Sequence, residues 1–162
     1  MPSVSVPLKG APGWDALQKT RRTFWKQPQR NQLTTHFKAD EFYCHDASAP
    51  PTKAEPAMIR LCQVFLEPMR AKFGECQILS GYRHELYNQA IHGARNSQHI
   101  YDNSYESVAA DLRFPKGTPA QWATEAKRLR TTKNKGRGGV GRYDRSGFVH
   151  VDNRPYKADW TG

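Results

Sequence analysis

An α+β domain, with a small antiparallel sheet and flanking helices, is the fold this sequence predicts. Helical periodicity comes first, short strand-like runs mixed with helices follow, and a β-hairpin signal closes the chain; regular βαβ alternation is absent. At 162 residues and 37% hydrophobic content the chain suits one domain with a modest extension. No apolar run is long enough to span a membrane as a helix.

Residues 1–35 read as a basic N-terminal arm ahead of a domain over 36–162. Pro2, Pro7, Pro12 and Pro28 punctuate the arm, and Lys9, Lys19, Arg21, Arg22, Lys26 and Arg30 face one acid, Asp15. Trp14, Leu17 and Phe24-Trp25 anchor a short helix across 14–26. Interleaved cations and aromatics suit a polyanion, and the aromatics equally suit pinning the arm to the domain. The stretch from His36 to Cys44 opens the domain with a short helix capped near 38–40, and Pro50-Pro51 marks a loop. Between about 54 and 73, Met58, Leu61, Cys62, Phe65, Leu66, Met69 and Phe73 fall on a single helical face. Pro68 is expected to kink or break that helix, and Gly74 to cap it.

Gln77 to Ser80 reads as a strand ending in the turn Gly81-Tyr82-Arg83. A helical pattern covers 84–92, and Val108 to Phe114 is the next strand. Thr118-Pro119 opens a helix across 119–132 with Trp122, Ala126 and Leu129 inward. A basic, Gly-rich turn over 133–139 leads to a hairpin of Val140–Tyr143 and Phe148–Asp152, closed by residues 144–147.

The formal net charge of +10 concentrates polyanions near the surface; nucleic acid and an anionic cell-wall polymer both qualify, as does a generic basic surface. The cations clustered between Lys127 and Arg145 accompany no recognised nucleic-acid motif. Cys44, Cys62 and Cys76 are odd in number and irregularly spaced, which excludes a disulfide framework, and no CxxC pair supports a thiolate zinc site. Cys62 reads as a small buried hydrophobe. Cys44, His45 and Asp46 are adjacent, and adjacent helical side chains diverge. The N-terminus lacks the apolar stretch of a secretory signal, so synthesis in the cytoplasm is expected.

Two short segments carry the chemistry. One reads Ser97-Gln98-His99 and then Ala109-Ala110-Asp111; the other runs from Gly147 to Asp152. On a strand, Phe148, His150 and Asp152 share a face. Two imidazoles and a carboxylate match the ligand count of a catalytic zinc with one position left for water. Spacing alone leaves the structural reading of each histidine open.

The wording around these residues resembles the M15 family of zinc D-alanyl-D-alanine carboxypeptidases and related peptidoglycan peptidases, phage endolysins included, in its branch with a C-terminal His-x-Asp. The matching pieces are Ser80-Gly81-Tyr82-Arg83, Asn88, Ser97-Gln98-His99, Ala109-Ala110-Asp111, Gly138 to Tyr143 and Phe148 to Asp152, with Pro155 and Trp160 closing the match. The resemblance covers about residues 36–160. It implies a fold shared with the hedgehog signalling domain, zinc on His99, Asp111 and His150, and Arg83 beside the scissile carbonyl or on a substrate carboxylate. It implies peptide stems of bacterial peptidoglycan as substrate, and action at the cell wall as an endolysin or remodelling enzyme delivered by other means. The basic arm would engage anionic wall polymer, and the protein would act as a monomer.

Two departures stand out. Eleven residues separate His99 from Asp111, more than in the family, and Ser107 replaces a midway Gly. The extra piece, about 102–106, either bulges out or draws Asp102 in as a ligand in place of Asp111. It is no EF-hand loop, since Ser107 stands where a Gly is needed and Arg113 where a Glu is needed. Secondly, relatives place an acid or a His shortly before the last ligand, where this chain has Gly147 and Phe148. Asp152, on the strand face of His150, and Asp144, in the preceding turn, are the candidate proton acceptors; otherwise Asp152 orients a neighbour and Asp144 caps its own turn. Without a base the same fold would serve as a non-catalytic, zinc-containing wall-binding domain.

Overall fold

The computed structural model describes residues 6–162, so Pro2 and the first five residues of the expected arm lie outside the described residues. The chain then folds as the helix α1 (Trp14–Lys26), and Trp14, Gln18, Arg21 and Trp25 along one stripe of it are buried. This stripe is bonded into the domain. Trp25 Nε1 donates to the Pro50 carbonyl at 2.9 Å, and Gln18 Oε1 accepts from the Ala49 amide at 2.8 Å. Arg21 donates to Asp102 Oδ1 at 2.7 Å and to the Tyr82 hydroxyl at 3.2 Å, while that hydroxyl donates to Asp102 Oδ2 at 2.5 Å. A short α2 (Pro28–Asn31) and a two-stranded hairpin of β1 (Gln32–Thr34) and β2 (Phe37–Lys38) follow. These strands are too short for alternation to register in the sequence.

The long apolar helix is continuous through α3 (Glu55–Leu61), a π-helical stretch (Cys62–Leu66) and α4 (Glu67–Phe73). Pro68 neither breaks nor ends it. A proline ring clashes with the carbonyl four residues back, here that of Val64. The wider π turn that contains Val64 relieves the clash and needs no amide hydrogen from Pro68. Gly74, at φ +93°, then ends the helix, and a Cβ there would sit 2.7 Å from Pro115.

The main sheet has five strands in the order β3 (Gln77–Ser80), β4 (Ala109–Arg113), β6 (Phe148–Asp152), β5 (Gly138–Tyr143), β7 (Lys157–Thr161). All its pairings are antiparallel except β5 with β7, which run parallel. The edge strand β7 carries only a short alternation, Ala158 and Trp160 between polar residues, and escapes a sequence reading. One face of the sheet, with Ala110, Leu112, Val140, Val149 and Val151, joins Met58, Phe65 and Leu129 from the helices in the core. The helix α6 (Pro119–Lys133) begins with Thr118 accepting from the Gln121 amide, as its cap signal predicts. The helix α5 (Glu85–Ala90) lies between β3 and β4 in the chain and is capped by the His84 side chain. Among the described residues no helix is long and apolar enough to cross a membrane.

Candidate metal centre

The opposite face of the sheet carries the polar residues, and strand register brings them together. Asp111 on β4 pairs directly with His150 on β6, His150 with Gly141 on β5, and Gly141 with Trp160 on β7. One step along, Ala109 pairs with Asp152 and Asp152 with Gly139. Side chains at directly paired positions share a face and lie close together.

His99 reaches this row from the loop before β4. Its Nδ1–H donates to the Gly81 carbonyl at 2.7 Å, which leaves the Nε2 lone pair facing Asp111 Oδ1 at 3.2 Å. His150 is held in the complementary sense: Nε2–H donates to Asp152 Oδ2 at 2.8 Å, and Nδ1 lies 2.9 Å from the same Asp111 Oδ1. Ligand atoms of His99, Asp111 and His150 all lie within 4.8 Å of one another, and all three residues are buried. Two imidazoles with fixed tautomers and one carboxylate, converging on a point, form a donor set that fits a divalent metal such as zinc. Asp102, the other candidate for this position, is bound instead to Arg21 and Tyr82, so the added segment leaves His99 and Asp111 together.

In the metal-free state the three groups share charge. Burial opposes the Asp111 charge, but the two imidazoles outweigh it and hold the carboxyl well below the usual range. Burial also opposes a charged His150, yet the bonds to Asp111 and Asp152 raise it to about 9. Burial lowers His99, which stays neutral. A metal needs the deprotonated imidazole, so between pH 7 and 9 the metal competes with the His150 proton. Zinc affinity of the stripped protein is expected to rise by about tenfold per pH unit over that window and level off above it. Competition titrations with a chelating dye at several pH values check this; a flat profile would show that His150 carries no proton to lose.

Arg83 flanks the row. Its Nε donates to Ser80 Oγ at 3.0 Å, and its two terminal nitrogens to Asn88 Oδ1 and Asp111 Oδ2, both at 3.4 Å. Two glycines make this possible: a Cβ on Gly81 would lie 2.8 Å from the Phe42 Cα, and one on Gly93 would overlap the Asn88 amide. Asp152, expected as a proton acceptor, is placed behind His150 and is fully buried. Its oxygens accept from His150 Nε2, the Gly139 and Arg154 amides, and Arg154 Nε and Nη2, five bonds in all. These partners hold its carboxyl far below the usual range against the effect of burial. Asp144, the other expected acceptor, has a half-exposed side chain, with both oxygens on Arg142 Nε at 2.9 and 3.0 Å.

A cleft of about 460 Å³ opens over the row, lined among others by Arg83, Ser97, His99, Tyr143, His150 and Trp160. Neither Asp144 nor Asp152 lines it, and among the described residues Asp111 is its one carboxylate. Sequence reasoning missed Arg154, which clamps Asp152 and carries its guanidinium 5.1 Å from the Trp160 ring centre. A buried acid on a strand requires such a partner, and a cation two residues on was the available signal.

A second cluster joins Cys44 and Asp46 to His84 rather than to His45. It is complete without a metal. His84 Nδ1 accepts from the Tyr87 amide, so Nε2 carries the hydrogen that bonds Asp46 at 2.6 Å, and Lys9 adds its ammonium to the same oxygen at 2.8 Å. Burial pushes the Cys44 thiol up to about 11, which keeps it protonated and a poor ligand.

No curated protein and no solved structure matches the chain. A family model described as Peptidase M15 matches residues 35–152, from the residue before His36 to Asp152. That span covers most of the chain and contains every residue of the candidate centre, so the protein belongs to the M15 family of metal-dependent peptidases.

Proposed function

We propose that this protein is a zinc-dependent peptidase that hydrolyses peptide bonds of bacterial peptidoglycan, as an endolysin or a wall-remodelling enzyme, with His99, Asp111 and His150 as the metal ligands. The observation that supports this most is the convergence of two tautomer-fixed imidazoles on Asp111 at the floor of an open cleft. Zinc, when bound, supplies Lewis acidity to a peptide carbonyl and to a water. The chain's own residues do the remaining work. Gly81 and Asp152 fix which nitrogen of each histidine faces the centre. Asp152 acts as an orienting group and not as the proton acceptor, because its lone pairs are already engaged by five donors. Arg83 steadies Asp111 and offers its remaining N–H groups to a substrate carboxylate or carbonyl. The net charge of +10 suits an anionic wall, with the cations of the first 35 residues contributing.

One observation favours a second reading. With Asp111 the one carboxylate on the cleft wall among the described residues, a protein that holds zinc and binds wall peptides without cutting them fits the same geometry. Metal analysis together with digestion of purified peptidoglycan, read by mass spectrometry with and without a chelator, separates the two. One zinc per chain and chelator-sensitive product masses are expected. Zinc with no new masses would favour the binding domain, and absence of zinc would sink both readings.

A further inference from the structure

Tyr143 occupies the cleft wall on β5, two residues beyond Gly141 and therefore on the face of the metal row. Several contacts fix it. Its ring stacks on Phe148 across the β5–β6 ladder, with centroids 4.3 Å apart and planes 13° from parallel. The Gly162 backbone lies so close to its ring that a Cβ there would overlap it. Trp160 Nε1 donates to its hydroxyl oxygen at 2.8 Å. Trp160 is held in turn: its indole lies over Gly141, where a Cβ would come within 2.5 Å, and its ring centre is 5.0 Å from that of His150.

The direction of that hydrogen bond decides what Tyr143 can do. An indole N–H only donates, so the hydroxyl oxygen accepts and its own proton is left over. Among the described residues that proton has no protein acceptor. Accepting one hydrogen bond also makes the O–H a better donor. A preorganised, unclaimed donor therefore shares the cleft with His99, Asp111 and His150. In the sheet order β3-β4-β6-β5-β7 the ligands on β4 and β6 lie between Arg83, which follows β3, and the Tyr143–Trp160 pair on β5 and β7.

We infer that the Tyr143 hydroxyl is a catalytic hydrogen-bond donor to the oxygen of the scissile carbonyl, with Trp160 as its positioning residue. Peptide hydrolysis builds negative charge on that oxygen in the transition state, and a fixed donor there accelerates the reaction. The hydroxyl keeps its proton throughout; its bond simply strengthens as the charge grows. Its role presupposes the peptidase reading given above.

The test compares zinc-loaded full-length Tyr143→Phe and Trp160→Phe with the parent protein on purified peptidoglycan over a range of concentrations. Loss of one such donor is expected to lower kcat by about 10²-fold with little change in KM. Trp160→Phe keeps an aromatic ring against His150 and removes only the N–H, so a smaller fall in kcat is expected. Zinc content and urea midpoint should stay at the parent values. A Tyr143→Phe protein with parental kcat, or one altered only in KM, would overturn the role. If Tyr143→Phe fails to fold, an unchanged kcat in Trp160→Phe overturns it. A parent protein that releases no product at all defeats the peptidase reading itself, an outcome distinct from equal rates in parent and variant.

Discussion

Replacing His150 with alanine is expected to abolish peptide hydrolysis while the protein stays folded. His150 is one of three candidate ligands whose atoms lie within 4.8 Å of one another, and losing it leaves one imidazole and one carboxylate, too few for a catalytic zinc. Lewis-acid stabilisation is worth several kcal/mol, so a fall in kcat/KM of more than about 10³-fold is expected, with metal below one ion per chain. The instructive companion is Asp152→Asn. An orienting partner of a ligand costs about 10–100-fold in metal affinity or activity when changed. A proton acceptor would behave differently: metal would be retained and the rate would collapse. Metal content and rate measured on both variants decide between these roles, and full activity in His150→Ala would refute the site.

Arg21→Ala is expected to be strongly destabilising. Arg21 and Asp102 form an ion pair whose side chains are 4% and 11% exposed, and the Tyr82 hydroxyl closes the triangle. Removing one member of a buried pair leaves the other charge without compensation, which costs about 3–5 kcal/mol. The double variant Arg21→Met, Asp102→Asn should recover part of that loss, because no buried charge then remains. Urea unfolding midpoints measure both. A single variant within about 0.5 kcal/mol of the parent would show that water reaches the pair. The damage should also spread toward the cleft, since Tyr82 immediately precedes Arg83 and the Arg83 amide donates to the His99 carbonyl.

Much of the fold was legible because periodicity and caps agree with tertiary structure. The helix anchored by Trp14 and Trp25, the strand ending at Ser80, the Thr118-Pro119 start and the final hairpin all follow local rules. The misses have physical causes. Pro68 was expected to kink or break the helix; the helix does not break but passes through a π turn, of which a sequence pattern carries no sign. The strand β7 was missed because its alternation rests on two residues, Ala158 and Trp160, over five positions at the sheet edge, too short a pattern to stand out. At the candidate centre, alternation along β6 was enough to place His150 and Asp152 on one face, and the structure joins them by a hydrogen bond. What alternation could not supply was direction. Asp152 sits on the far side of the imidazole from Asp111, a fact set by Arg154 and by the missing side chain at Gly139, where a Cβ would fall 2.8 Å from Arg154 Nε. Likewise no spacing rule could say that Asp102 would turn away to meet a guanidinium from residue 21.

The parallel pairing of β7 on β5 has a practical consequence. The span shared with the family stops at Asp152, one strand short of Trp160, and starts at residue 35, after the helix that brings Arg21 to Asp102. A chain trimmed to the shared span would uncover the seat of Trp25, strand a buried carboxylate, and leave the aromatic side of the cleft open to solvent. The span matched by the family model is therefore shorter than the set of elements packed together in this protein, and shortened versions intended for assay should keep both flanks.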